Sequence, residues 1–164
     1  MFMEKERLIF CIQRFDHYYD SVNNKSAVFL ALGTFIVGGL VTSYPFLKKN
    51  VVCTFSVDLF LILSVILGLS AIIIVIIATT PYLSKGESSL YYFNSIADKE
   101  EKIFSSESEN FSREDEISDL RIQVHKLALG LRKKFIRLRI AGILYTLMFF
   151  AMIPLVALII INLK

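Results

Sequence analysis

The chain has 164 residues, enough for one domain, and 55% of them are hydrophobic, with a mean hydropathy of +0.60. That exceeds the apolar share of soluble domains, roughly 45 to 50% even with Gly counted, and excludes an ordinary soluble globule. The net charge of +3 is too small a surplus to imply nucleic acid.

Residues 2 to 25 carry Glu4, Lys5, Glu6, Arg7, Arg14, Asp16 and Asp20 where a secretory leader would need an apolar run, so no leader is expected. Within them Leu8, Ile12, Phe15, Tyr19 and Val22 recur at steps of four and three, one stripe of an amphipathic helix over 1–26. Charges then vanish from Ser26 to Leu47, from Leu59 to Ser84 and from Ile140 to Leu163. A hydrocarbon core about 30 Å thick needs about 20 helical residues, so three transmembrane helices are predicted over 27–47, 57–79 and 140–161. Tyr44 and Pro45 are read as an interfacial aromatic and a helix stop before the turn Lys48-Lys49-Asn50. Pro154 is read as a possible kink in the third span.

The region 80–138 is predicted to be helical, with a Ser-rich loop over 104–113 (FSSESENFSR) and a short docked helix around Leu90, Tyr91, Phe93, Ile96 and Ile103. Ile117, Leu120, Val124, Leu127, Leu131, Phe135 and Leu138 form a second stripe leading into span three. The two stripes pack on each other or on other copies of the chain, or else lie on the membrane surface. Ten acids between Lys85 and Asp119 give way to six cations, Lys126, Arg132, Lys133, Lys134, Arg137 and Arg139. That cluster is either an anchor to anionic headgroups or a phosphate-binding surface.

Cytoplasmic segments collect Lys and Arg. With three spans, fifteen such residues fall on the side of the N-terminus and of 80–139, against three on the other. The fold class is therefore an all-α membrane protein with a cytosolic helical region, N-terminus in and C-terminus out. Cys11 and Cys53 then lie on opposite sides of the membrane and cannot pair within one chain, and neither has metal-ligand spacing.

No nucleotide loop, hydrolase elbow or metal motif is present, and His17 and His125 lack partners at ligand spacing, so no enzyme activity and no cofactor are expected. The span interiors hold no ionisable residue, which disfavours pumps and ion-coupled carriers. They do hold small and hydroxylated residues: Ala27, Ala31, Thr34, Gly38 and Thr42 in span one, and Ser64, Gly68 and Ala71 in span two. These stripes either pack helices within one subunit or face a pore. Three helices cannot enclose a water-filled channel, so a pore would require a homo-oligomer, a tetramer or larger, with uncharged walls that gate by wetting.

Three stretches go beyond this reading. The run Arg14-Phe15-Asp16-His17-Tyr18-Tyr19-Asp20-Ser21-Val22-Asn23-Asn24-Lys25-Ser26, continuing into Leu30-Ala31-Leu32-Gly33-Thr34-Phe35, resembles the start of the Pycsar-type membrane effector family, related to the SLATT group of bacterial defence. Tyr92-Phe93-Asn94-Ser95-Ile96-Ala97 is similar to a second piece of that pattern. The residues from Asp119-Leu120 through Gln123, Leu127-Ala128, Lys134-Phe135 and Ile140-Ala141 are similar to a third. The resemblance implies an effector in the bacterial inner membrane that a nucleotide second messenger activates or restrains. It further implies depolarisation of the host membrane and abortive infection, with a nucleotide cyclase or nucleotidyltransferase as operon partner. Unlike some members of that group, the chain is not expected to carry a fused nucleotide-binding domain, so the ligand would bind the helical region itself or a partner. Residues matching the pattern and able to meet a phosphate or base are Arg14, Asn23, Lys25, Asn94, Gln123, Lys126 and Lys134; Lys133 joins them from the basic cluster. Asp16 and Asp20 are expected to pair with these cations between helices. The rivals are a non-conducting scaffold or sensor subunit and a holin-like lysis protein.

Overall fold

The computed structural model describes residues 2–52, 55–81 and 89–163. Cys53, Tyr82, Lys85, Glu87 and Lys164, which entered the readings of pairing, span end and charge balance, lie outside the described residues. The described chain is helical: α1 (Phe2–Asn50), α2 (Phe55–Thr79), α3 (Phe93–Ala97), α4 (Glu101–Glu109) and α5 (Arg113–Ile161). Three of these, α1, α2 and α5, are long and apolar enough to cross a membrane.

Pro45 does not end the first helix, which runs on to Asn50. A proline withdraws only one ladder N–H, and within an apolar segment the neighbouring helix bonds have no water to exchange with, so they persist around it. The Ser-rich loop predicted over 104–113 is likewise corrected. FSSESE belongs to α4, and only Asn110, Phe111 and Ser112 lie outside helices. Serine costs a helix only a few tenths of a kcal/mol per residue, and Glu and Lys are good formers, so the composition does not break it. Lys99, two residues before α4, pairs with Glu107 within it. Ser112 then caps α5, its Oγ accepting the Asp115 N–H at 3.1 Å.

The chain divides into two compact units. Unit 1 comprises residues up to Ser21 and Pro81–Lys133; unit 2 comprises Val22–Thr80 and Lys134–Lys164.

Unit 2 is a three-helix bundle with a seam of alternating three- and four-residue steps. On α2 the buried residues are Val57, Leu61, Ser64, Gly68, Ala71, Val75 and Ala78. This mean step of 3.5 keeps one face toward the neighbouring helices along the whole helix. On α1 the buried positions include Val22, Ser26, Val37 and Leu47, and on α5 Leu138, Ala141, Tyr145, Met148 and Leu155. At Gly68 all three helices meet: a Cβ there would lie 2.4 Å from Val37 Cγ2 and 2.9 Å from Met148 Sδ. Tyr145 crosses to α1, donating its hydroxyl to the Phe29 carbonyl at 2.8 Å, with its ring edge-on to Phe29. Only a glycine at position 33 leaves room for that hydroxyl, 2.1 Å from where a Cβ would stand. At one end Val52 N–H bonds the Asn162 carbonyl at 2.9 Å, and Lys48 pairs with Asp58 at 3.2 Å.

The α5 stripe departs from expectation at one place. Phe135 is 40% exposed, whereas Lys134 is buried at 8%. An unbroken alternation of steps through Ile117, Leu120, Val124, Leu127 and Leu131 arrives at 134 and then 138, so helical phase puts the lysine in the seam despite its charge. Its aliphatic stem fills the position, and burial, helped by the Arg137 charge, pushes its ammonium pKa down.

Unit 1 closes over a small apolar cluster, Leu8, Ile117 and Leu120 flanked by Ile9, Ile12 and Val124. Polar contacts surround it. Lys5 Nζ lies 2.7 Å from Glu116 Oε1, Arg121 grips Glu4 at 2.8 Å, and Tyr19 donates to the Leu127 carbonyl at 3.0 Å.

Candidate functional site

The chain segment leading into α3 is stapled to α5 by a buried polar group. Asp119 Oδ2 accepts from Ser89 Oγ and from the Leu90 N–H, both at 2.9 Å. Gln123 Nε2 donates to Ser89 Oγ at 2.9 Å and to Asp119 Oδ1 at 3.2 Å. Ser89 Oγ also accepts the Tyr91 and Tyr92 N–H groups at 3.1 Å. Every arm of this staple is satisfied, so it positions the next residues firmly.

What it positions is Tyr91. The phenol donates to Glu116 Oε1 at 2.6 Å, the same oxygen that Lys5 reaches from α1. One carboxylate thus joins three elements: α1, the segment before α3, and α5. Burial first, then the bond to Glu116, push the Tyr91 pKa up to about 12. The Lys5 ammonium, seconded by the Tyr91 hydroxyl, holds the Glu116 carboxyl below its ordinary value. Beside this node opens a cleft of about 700 Å³, lined by Lys5, Arg113, Glu6 and Glu116 together with Tyr91, Phe111, Ile9, Leu90 and Ser108. Cations and aromatic faces in one concavity of this size suit an anionic ligand with a planar ring.

The residues expected from sequence are distributed otherwise. Arg14 is exposed, bonding Tyr18 Oη at 2.7 Å while lying over the Phe10 and Tyr18 rings of its own helix. Asn23 and Lys25 are exposed residues of unit 2. Asn94 is half-buried in α3, where its carbonyl accepts the Asp98 N–H. Gln123 is consumed by the staple. Lys126 lines a shallow depression with Arg121, Ile122 and His125, and Lys133 is exposed. Lys134 falls in the seam of unit 2. Asp16 and Asp20 are exposed, whereas Glu4 and Glu116 pair with Arg121 and Lys5 between α1 and α5. Lys5, Tyr91, Arg113 and Glu116 escaped sequence reasoning because 25 and 111 residues separate the partners of their contacts.

The two small-residue stripes also part company. Ser64 and Gly68 lie in the seam, whereas Thr34, Gly38 and Thr42 face outward. Nothing lies within 4 Å of a Cβ at Gly38. Thr34 and Thr42 return their hydroxyls to the Leu30 and Gly38 carbonyls of their own helix, both at 2.8 Å, which satisfies a hydroxyl without water. Packing within one chain, one of the two readings of the span-one stripe, is therefore not what that stripe does.

An all-helical chain with three membrane-length helices and a polar, cleft-bearing unit belongs to the class of helical membrane proteins. Residues 7–162 match the Pycsar effector protein domain, and the chain belongs to that family. It is a membrane effector of cyclic-nucleotide-signalled antiphage defence, in a family of effector domains rather than of known enzymes. No curated protein and no solved structure matches it. Among the described residues no group of His, Cys, Asp or Glu could hold a metal ion.

Proposed function

We propose that the chain is a homo-oligomeric pore of the bacterial inner membrane, gated by a nucleotide made by a partner cyclase or nucleotidyltransferase, whose opening depolarises the infected cell and aborts infection. The observation that carries this reading is the continuity of α1 and α5, each a helix of 49 residues that contributes to both units. A ligand that alters the contacts of these helices in unit 1 acts on the same two helices that help to build the bundle of unit 2. It shifts the equilibrium only if it binds the two states with different affinity. The outward face of α1 at Thr34, Gly38 and Thr42 supports assembly of several copies, since small residues let helices approach closely in lipid. Its uncharged walls suit gating by wetting. The charge asymmetry supports a cytosolic unit 1, on the side where such a ligand is made.

Ion flux from liposomes bearing the purified chain, titrated with cyclic and linear nucleotides, tests this. Flux that one nucleotide raises or abolishes is the expected result. Folded, inserted protein that conducts under no ligand would identify a non-conducting scaffold instead.

A further inference from the structure

We propose that the cleft of unit 1 is the nucleotide site and that the Glu116 carboxylate is its built-in competitor, occupying on Lys5 the place that the ligand's phosphate takes when it binds. The inference rests on the nucleotide-controlled reading above and specifies where that control is exerted.

The lining carries two cations, Lys5 and Arg113, against two carboxylates, Glu6 and Glu116. That balance can accept one added negative charge with one cation released to it. It is poorly matched to a triphosphate or to a ligand with several phosphates, because each further charge would stand unpaired beside two carboxylates. A nucleoside cyclic monophosphate carries a single phosphodiester charge and one planar base. Tyr91 and Phe111, with Leu90 and Ile9 beside them, supply the surfaces on which a base can lie.

Lys5 now spends its charge on Glu116 at 2.7 Å. A phosphodiester in the cleft offers Lys5 an equally charged acceptor, and Glu116 keeps its bond from Tyr91 Oη. The exchange leaves Glu4 and Arg121 still paired between α1 and α5. Binding and the loss of the Lys5 contact between α1 and α5 are therefore the same event, which supplies the difference between two states that control requires.

The test uses the full chain in phospholipid-free detergent, titrated by calorimetry with the cyclic monophosphates of cytidine, uridine, adenosine and guanosine. The wild type is expected to bind at least one of them. Lys5→Met and Arg113→Met are each expected to weaken that binding by about tenfold, the scale of one lost charge-assisted hydrogen bond. Glu116→Gln keeps an acceptor for Tyr91 but removes the competing charge, and it is expected to tighten binding by about fivefold or more. A gain of affinity is an outcome that a merely structural role for Glu116 does not produce. All three variants are checked for retained helicity, and their substitutions lie at partly exposed side chains. Nucleotide binding that both cation variants leave unchanged overturns the site while sparing nucleotide control. Weaker binding by Glu116→Gln overturns the competition. Absence of binding to all four nucleotides by the wild type overturns the site, and ion flux that any other nucleotide still gates in liposomes shows that the reading it rests on stands without it.

Discussion

Unit 2 closes over Val37, Ala71, Val75, Ala141, Tyr145 and Met148, residues chosen for size, with Gly68 where the three helices come closest. Unit 1 has three buried apolar residues in its core cluster and relies on Lys5, Arg121, Tyr19, Tyr91, Ser89 and Gln123 reaching acceptors on other elements or along α5. The difference follows from solvent. In lipid there is no hydrophobic gain from helix association, so close packing of small residues and internal hydrogen bonds must hold the bundle. In water, exposed ion pairs are worth little each, up to about 1 kcal/mol, and can be exchanged for contacts with a ligand at small cost. A bundle closed by size tolerates changes of pH and salt; a unit closed by charge responds to them. That makes unit 1 the natural place for a switch.

The largest effect that sharpens this contrast is steric. Gly68→Leu should cost about 3 kcal/mol, since overpacking a tight contact costs on that scale and Val37 and Met148 already stand within 3 Å of a Cβ there. Gly38→Leu, with nothing within 4 Å, should leave the stability of the single chain within about 0.5 kcal/mol. Denaturant unfolding in detergent compares the two; equal losses would break the distinction between the stripes.

Next comes the staple. Asp119→Ala strands the Ser89 hydroxyl and the Leu90 N–H, and should cost about 2 kcal/mol, the scale for leaving buried donors unpaired. Hydrogen exchange at the Leu90 amide should accelerate before that of α2, which belongs wholly to unit 2.

A smaller effect is expected from Tyr145→Phe. It removes one hydrogen bond, to the Phe29 carbonyl, and keeps the ring contact, so about 1 kcal/mol should be lost. Thermal unfolding should show this loss to be independent of salt, because no charge takes part.

The smallest effect lies at Glu116 and is the one that pH reveals. Its folded pKa lies below the ordinary 4.5, so the folded state holds the proton less tightly than the unfolded state does. Its contribution to stability is fully present above the unfolded value and is lost as pH falls through the lowered folded value. An NMR titration of the Glu116 carboxyl should show the depressed midpoint, and Lys5→Met should move it upward. A midpoint indifferent to Lys5 would deny unit 1 its charge-based closure.

Three features were legible in the residues alone, for a common reason. Span length, charge segregation and the step pattern of each stripe are properties of neighbouring residues, and hydropathy along the chain sums them without knowledge of the fold. Hence the apolar stretches and the stripe of Ile117, Leu120 and Leu131 could be read directly, as could the resemblance in the runs around Arg14, Tyr92 and Asp119. The Ser-rich stretch misled because serine is frequent in loops while costing α4 little as a helix residue.

Helical phase and long-range meetings were decided by tertiary structure. Sequence offered Lys134 and Phe135 as neighbours, and the apolar one looked like the seam residue; the continuous alternation of steps gave the seam to the lysine. It offered two small-residue stripes of the same kind, and packing buried Ser64 and Gly68 while leaving Thr34, Gly38 and Thr42 on the outside. The meeting of Lys5, Tyr91 and Glu116 has no local signature at all, because each of the three is an ordinary residue on its own element. Local patterns determine that a residue is helical and which neighbours share its face. Which faces meet depends on the rotation and offset of whole helices, and those are set only when all the contacts of the fold are satisfied together.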